Sequence, residues 1–151
     1  MGTKRNPLLT AEEQEKIVKA IEEAERQTSG EIRLRVERLC AEDVLDRAAW
    51  WFKKLKMHKT FLRNGVLIYV AVDDRKSAII GDVGIHRKLG DDYWAQTLAA
   101  MMARFKEGAL ADGIVETIRE VGARLSAAFP YDAVYDKNEL SDEISMEDEK
   151  E

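Results

Sequence analysis

The sequence predicts an α/β fold, with a small mixed sheet that carries helices on its faces. Three observations lead to this prediction. One segment alternates apolar and charged residues with a period of two, and a second is apolar without a break over seven residues. Four further segments repeat apolar residues at the spacing of an amphipathic helix. The order helix, strand, helix, strand, strand, helix, helix is typical of a mixed sheet covered by helices.

The first helix and the first strand have clear boundary signals. Thr10 and Glu13 form a Thr-x-x-Glu capping box, which predicts that the helix begins at Thr10. Gly30 suits the end of this segment, because glycine tolerates a positive φ. In residues 31–38, Ile32, Leu34 and Val36 alternate with Arg33, Arg35 and Glu37. This pattern predicts a strand with one buried face and one charged face.

The next helix and two strands complete the predicted sheet. A helix is expected over 43–56, with Asp43 as its cap. The unbroken apolar run at 66–72 predicts a central strand that is covered on both faces. A tight turn leads to a third strand at 77–81, which predicts an antiparallel hairpin. The first two strands, joined by a helix, should form a right-handed parallel crossover.

Two helices follow the hairpin. The Gly-Asp-Val-Gly segment at 81–84 is predicted to be a loop, and the third helix is predicted to begin near Asp91 and Asp92, either of which can cap it. The fourth helix contains a stripe of apolar residues that starts at Leu110. Phe129-Pro130 should end the regular structure.

Length and charge predict a single domain with an acidic tail. The 151 residues divide into an N-terminal extension (1–9), an α/β domain (10–130) and a C-terminal tail (131–151) that docks at most in part. The tail contains nine acidic and two basic side chains, and the rest of the chain has a net charge of +2. No basic stripe is interleaved with aromatic residues, so nucleic acid is not an expected partner.

The cellular setting is predicted from what the sequence lacks. Cys40 is the only cysteine, so the chain has no internal disulfide that would require an oxidising compartment. Neither a signal peptide nor a run of about 18 apolar residues is recognisable. We therefore expect a cytoplasmic protein without membrane insertion.

The predicted topology brings acidic residues together at one edge of the sheet. The start of the first strand carries Glu31, and the end of the third strand leads into Asp82. We call this edge the acidic pole. With Asp91 and Asp92 nearby in sequence, these carboxylates are candidate ligands for calcium or magnesium, which prefer oxygen. The alternative is that Glu31 is a solvated residue at a strand edge and that the aspartates only cap a helix.

Arg63 and Asn64 precede the central strand at the same pole. They are candidate contacts for an anion or a phosphate substrate, although Asn-Gly is also a common turn dipeptide. No catalytic residue is assigned. Six residues rather than five separate Cys40 from Arg47, and the acidic residues among them would repel phosphate. A cysteine phosphatase loop is therefore excluded.

Several motifs occur in a specific order and spacing. They are Thr-Ser-Gly-Glu-Ile at 28–32, Leu-Arg-Asn-Gly-Val-Leu-Ile-Tyr-Val-Ala at 62–71, Ile-Ile-Gly-Asp-Val-Gly-Ile at 79–85, Asp-Asp-Tyr-Trp at 91–94 and Phe-Pro-Tyr at 129–131. In this combination the chain resembles the TPM domain family over about residues 10 to 145. Asn-Glu-Leu-Ser-Asp-Glu-Ile at 138–144 resembles the C-terminal motif of its short, soluble bacterial branch.

The resemblance implies a three-layer α/β/α sandwich. Some members of the family bind calcium or other divalent cations, and plant lumenal members have been described as acid phosphatases. Two functions are therefore expected as alternatives. One is a module that binds a divalent cation and a protein partner, with a contact surface near Trp50 or Trp51. The other is a weak phosphatase in which metal-activated water attacks phosphorus.

Overall fold

The computed structural model describes residues 7–131 and 144–147. The elements follow in chain order: α1 (Ala11–Glu25), β1 (Glu31–Glu37), α2 (Val44–Lys54), a 3-10 turn (Met57–Lys59), β2 (Gly65–Ala71), β3 (Lys76–Gly81), α3 (Val83–Lys106), α4 (Leu110–Ala128) and β4 (Ser145–Met146). No helix in these described ranges is both long and apolar enough to cross a membrane.

The strands form one mixed sheet in the order β3-β2-β1-β4. β1 is parallel to β2, with Glu31 opposite Gly65, and β2 is antiparallel to β3. These pairings confirm the predicted parallel crossover and the predicted hairpin. β4 adds a short parallel pairing on the other edge of β1, where Arg35 and Val36 face Ser145 and Met146.

Helices cover both faces of the sheet, as the sandwich prediction requires. Every residue of β2 is buried, which confirms its central position. Val66, Ile68 and Val70 point into the main core, which is completed by α1, α3 and α4. Leu67 and Tyr69 belong to smaller apolar clusters on the opposite face, against α2. Burying each such side chain stabilises the fold by about 1.5–3 kcal/mol.

The helix starts follow the predicted caps, with one exception. The amide of Glu13 donates to the Thr10 hydroxyl at 3.1 Å, and the amide of Thr10 donates to the Glu13 carboxylate at 2.8 Å. The segment at 81–84 is not the predicted loop, because Asp82 caps a helix that starts at Val83. Gly90, with φ 81°, interrupts this helix, so the start predicted near Asp91 is the start of its second segment.

Candidate functional site

Backbone hydrogen bonds bring the acidic pole together around the start of β2. The amide of Glu31 donates to the carbonyl of Asn64 at 3.4 Å, and the amide of Asp82 donates to the carbonyl of Gly65 at 2.9 Å. β2 therefore lies between the start of β1 and the end of β3. Glu31 and Asp82 are two strand spacings apart, or about 10 Å at the backbone. Both side chains are buried.

Arg63 and Asp82 form a two-pronged ion pair at this pole. The Nε and Nη2 atoms of Arg63 donate to the two carboxylate oxygens of Asp82 at 2.6 and 2.8 Å. The amide of Val83 also donates to Asp82, at 2.7 Å. The hydrogen bonds and negative charge of Asp82 raise the pKa of Arg63. The Asp82 side chain is 4% exposed and that of Arg63 46% exposed, so only the arginine faces water.

Gly84 holds the loop before β2 against the first turn of α3. Its amide donates to the carbonyl of Arg63 at 2.8 Å. A Cβ atom at Gly84 would lie 2.6 Å from that same carbonyl oxygen and would also overlap the carbonyl oxygen of Leu62. Only glycine permits this approach, which fixes Arg63 beside Asp82.

Asn64 places an unpaired oxygen at the pole. The residue is 1% exposed, and its Nδ2 atom donates to the Ser29 hydroxyl at 3.3 Å. The Oδ1 atom of Asn64 is buried without a hydrogen-bond partner in the described parts of the chain. A buried acceptor without a donor costs about 1–3 kcal/mol. The amide oxygen therefore has unused capacity to accept a hydrogen bond or to coordinate a cation.

Asp91 and Asp92 lie apart from the other predicted ligands. The helical segment from Val83 to Leu89, about 10 Å long, separates them from Asp82. The Asp91 side chain is 91% exposed and lies 3.1 Å from Nε2 of His86. Within residues 7–131 and 144–147, no group of three or more His, Cys, Asp or Glu side chains is arranged to hold a metal ion.

A second polar cluster, which the sequence did not predict, lies at the opposite end of β1. Glu37 accepts hydrogen bonds from Arg35 and Arg47 at 2.9 Å and from the Tyr69 hydroxyl at 2.6 Å. Burial acts to raise the pKa of Glu37, but these donors outweigh burial and lower it to about 2. We call these four residues the Glu37 cluster.

The Glu37 cluster is covered by α2. The guanidinium of Arg35 stacks 3.6 Å from the ring centre of Trp51, and Trp50 remains half exposed. Burial and the bond to Glu37 raise the pKa of Tyr69, so its hydroxyl stays protonated. The Glu37 carboxylate already accepts hydrogen bonds from Arg35, Arg47 and Tyr69. We therefore interpret the cluster as a structural unit. Cys40 is also buried at this end of the sheet.

Comparison with known proteins places the chain in a family. Residues 3–124 match the family model described as TPM domain. The BA42 protein of the psychrophilic bacterium Bizionia argentinensis, solved by NMR, is 45% identical with a TM-score of 0.87. That alignment covers 95% of this chain and 99% of BA42. A search of the curated proteins gives no match.

More distant structures share the fold alone. The N-terminal domain of a protein from P. gingivalis is 19% identical with a TM-score of 0.65, over 81% of this chain and 79% of that one. The N-terminal domain of cg2496 from Corynebacterium glutamicum is 13% identical with a TM-score of 0.64, over 83% of this chain and 79% of that one. On the family match and the similarity to BA42, this chain belongs to the TPM domain family.

Proposed function

We propose that this TPM domain is a binding module that takes up a divalent cation, calcium or magnesium, at the acidic pole and contacts a protein partner there. The observation that carries the proposal is the buried Oδ1 atom of Asn64, which has no donor among the described residues. It lies where the chain brings Glu31 and Asp82 to the same edge. Carboxylate and amide oxygens are ligands that both cations accept.

Arg63 acts as an internal competitor in this proposal. Both oxygens of Asp82 are held by Arg63, so the pair is neutral without a cation. The Arg63 side chain is half exposed and can turn into water, which would release a buried carboxylate to a cation. Asp91 and Asp92, beyond the first segment of α3, are the other predicted ligands, and the same titration tests them.

Arg63→Gln is expected to tighten cation binding, because it removes the group that competes for Asp82. A hydrogen bond to a charged group contributes about 1.5–3 kcal/mol, so the affinity should rise roughly tenfold or more. Titration of calcium and of magnesium, followed by amide NMR signals at Glu31, Asn64 and Asp82, measures this change. Arg87→Gln alters the same charge at an exposed position of α3 and should leave the affinity unchanged.

Two results would contradict the cation proposal. One is the absence of saturable shifts at the acidic pole in the wild-type protein. The other is equal affinity in the wild type and in Arg63→Gln. The alternative, a metal-dependent phosphatase, is measured on the same samples with a generic phosphate ester. Turnover that requires the cation and disappears in a folded Asp82→Asn variant would favour the enzyme.

The partner is proposed to bind an apolar rim beside the ion pair. Phe61 is 89% exposed, and Leu62 and Val83 are about half exposed. These three residues form the rim, and they flank Arg63 and Asp82 in the chain. Exposed apolar side chains that surround a charged pair suit a protein partner with an apolar surface of its own.

Replacing Phe61 with serine is expected to abolish partner capture. A photoactivatable residue is introduced at Leu62, and the protein is expressed in cells of the source organism. With Phe61 intact, this residue should crosslink one defined protein. The same crosslink should be lost in Phe61→Ser, because the rim loses its most exposed apolar group. Leu39→Ser, an equally polar change at an exposed leucine in the loop after β1, should retain it. Retention in Phe61→Ser would refute this surface.

A further inference from the structure

A cavity at the opposite end of the sheet has the make-up of a ligand site. Its volume is about 470 Å³, and it opens where β2 ends and β3 begins. Its walls are apolar and come from the two strands and from α3 and α4: Val70, Val72, Met102, Phe105 and Leu110. Small-molecule sites in proteins commonly have volumes of roughly 300–1,000 Å³ and mainly apolar walls.

The mouth of this cavity is positively charged. Arg75, in the β2–β3 turn, and Lys106, in the last turn of α3, both line it and are exposed. Neither has an ion pair with a carboxylate in the described part of the chain. Their charges are therefore available to a bound anion.

Two features inside the cavity also favour an anion. The 19-residue helix α4 begins at Leu110, on the cavity wall, and no side chain caps its N-terminus at Ala109. A helix N-terminus carries unpaired amides and a partial positive charge. Ser77 also lines the cavity, and its side chain is buried with only 7% of the residue exposed. Its hydroxyl has no hydrogen-bond partner in the described residues.

We propose that this cavity binds an amphipathic organic anion, with an aliphatic body against the apolar walls and an anionic head near Arg75, Lys106 and Ser77. The apolar walls favour the aliphatic body of the ligand. The charges of Arg75 and Lys106 and the uncapped start of α4 favour its anionic head. The unpaired Ser77 hydroxyl supplies a hydrogen-bond donor. This site is independent of the acidic pole, which lies at the other end of the strands.

Titration with octanoate, followed by amide NMR signals, tests this inference. Saturable shifts should be confined to the cavity, at residues such as Val72, Ser77 and Leu110. Arg75→Glu combined with Lys106→Glu should weaken binding by at least about fivefold, because both favourable charges are reversed. Ser77→Ala should weaken it roughly threefold. Arg87→Glu, which changes an exposed charge elsewhere on α3, should have no effect.

Two further probes separate the contribution of the anionic head from that of the aliphatic body. Over the same concentration range, 1-octanol lacks the charge and inorganic phosphate lacks the body, so both should bind more weakly than octanoate. Octanol binding as tightly as octanoate would overturn anion recognition, and phosphate binding as tightly would overturn recognition of the body. The absence of saturable octanoate shifts, or unchanged affinity in the double charge reversal, would overturn the site as a whole.

Discussion

Glu37→Gln is expected to lower the free energy of unfolding by about 3 kcal/mol. Glutamine has the same size, but it leaves the buried Arg35 without its carboxylate, and Arg47 keeps only its longer pair with Glu42 at 3.5 Å. Breaking a buried ion pair costs about 3–5 kcal/mol. The lowered pKa of Glu37 gives a similar figure, since a fall from 4.5 to about 2 corresponds to about 3 kcal/mol. For a chain of this length, the melting temperature should fall by about 10 °C.

Asp112→Asn is the matched control for this prediction. It removes a carboxylate that pairs with Lys16 at 3.0 Å, but both side chains are more than half exposed. Exposed pairs contribute about 0–1 kcal/mol, so the melting temperature should change little. If Glu37→Gln and Asp112→Asn had equal effects, Glu37 would not be holding a buried cluster together.

The pH dependence gives a second check on Glu37. Its pKa in the folded protein, about 2, is below the ordinary value of 4.5. The stabilisation from the ionised carboxylate is therefore fully present above pH 4.5 and is lost as the pH falls toward 2. Denaturant titrations at several pH values should show the wild type and Glu37→Gln converging over this range. A difference that stays constant down to pH 2 would contradict the assignment.

Gly84→Ala is expected to destabilise the protein by about 2 kcal/mol or more, although alanine is the better helix former. Helix propensity alone would give a gain of about 1 kcal/mol. The added Cβ would instead overlap the backbone carbonyl oxygens of Leu62 and Arg63, which cannot move without displacing the loop before β2. The sign of the change therefore separates the two effects. Denaturant unfolding measures it directly.

The loop displacement should also be visible at the ion pair. Moving the backbone of Arg63 weakens its two hydrogen bonds to Asp82, so the Nε signal of Arg63 should shift in Gly84→Ala. Val83→Ala, at the neighbouring and half-exposed position, should change the stability by less than about 0.5 kcal/mol and leave that signal in place. A Gly84→Ala protein more stable than the wild type would refute the close contact.

Local patterns in the sequence were sufficient to predict most of the fold. The capping box at Thr10 and Glu13 involves residues three positions apart, so it can be predicted without knowledge of the tertiary structure. The unbroken apolar run of β2 predicts burial on both faces, and the strand is buried throughout. The parallel crossover follows from the chirality of a strand-helix-strand unit.

The misinterpretations have a common physical origin in contacts between distant segments. Alternation in β1 predicted one buried face and one charged face, yet the charged Arg35 and Glu37 are buried as well, because α2 packs over them. The Tyr69 hydroxyl supplies a further donor to Glu37 there. The 81–84 segment resembled a loop because it contains two glycines. One of them, Gly84, is required by the backbone of Leu62 and Arg63, which belongs to a distant part of the chain and leaves no signal in the 81–84 segment itself.

The candidate site was predicted only in part for the same reason. The strand directions predict that Glu31 and Asp82 lie at one edge of the sheet, and both residues do lie beside the start of β2. The ion pair between Arg63 and Asp82 joins residues that are 19 positions apart. The sequence around neither residue contains a pattern that predicts it. Asp91 was expected near the pole because residues 81–84 were predicted to be a loop, but the helical segment from Val83 to Leu89 separates Asp91 from Asp82.

The two-residue strand β4 affects the order in which the sheet can assemble. Ser145 pairs with Arg35 across 110 positions of the chain, whereas β2 pairs with β3 through a short hairpin. Contacts at such separation have a higher loop-closure entropy cost than a hairpin, so we expect them to form late. β1 would then be an open edge while the rest of the sheet forms. Its buried charges, Arg35 and Glu37, stand on that edge, and charges on an open edge discourage pairing with other chains.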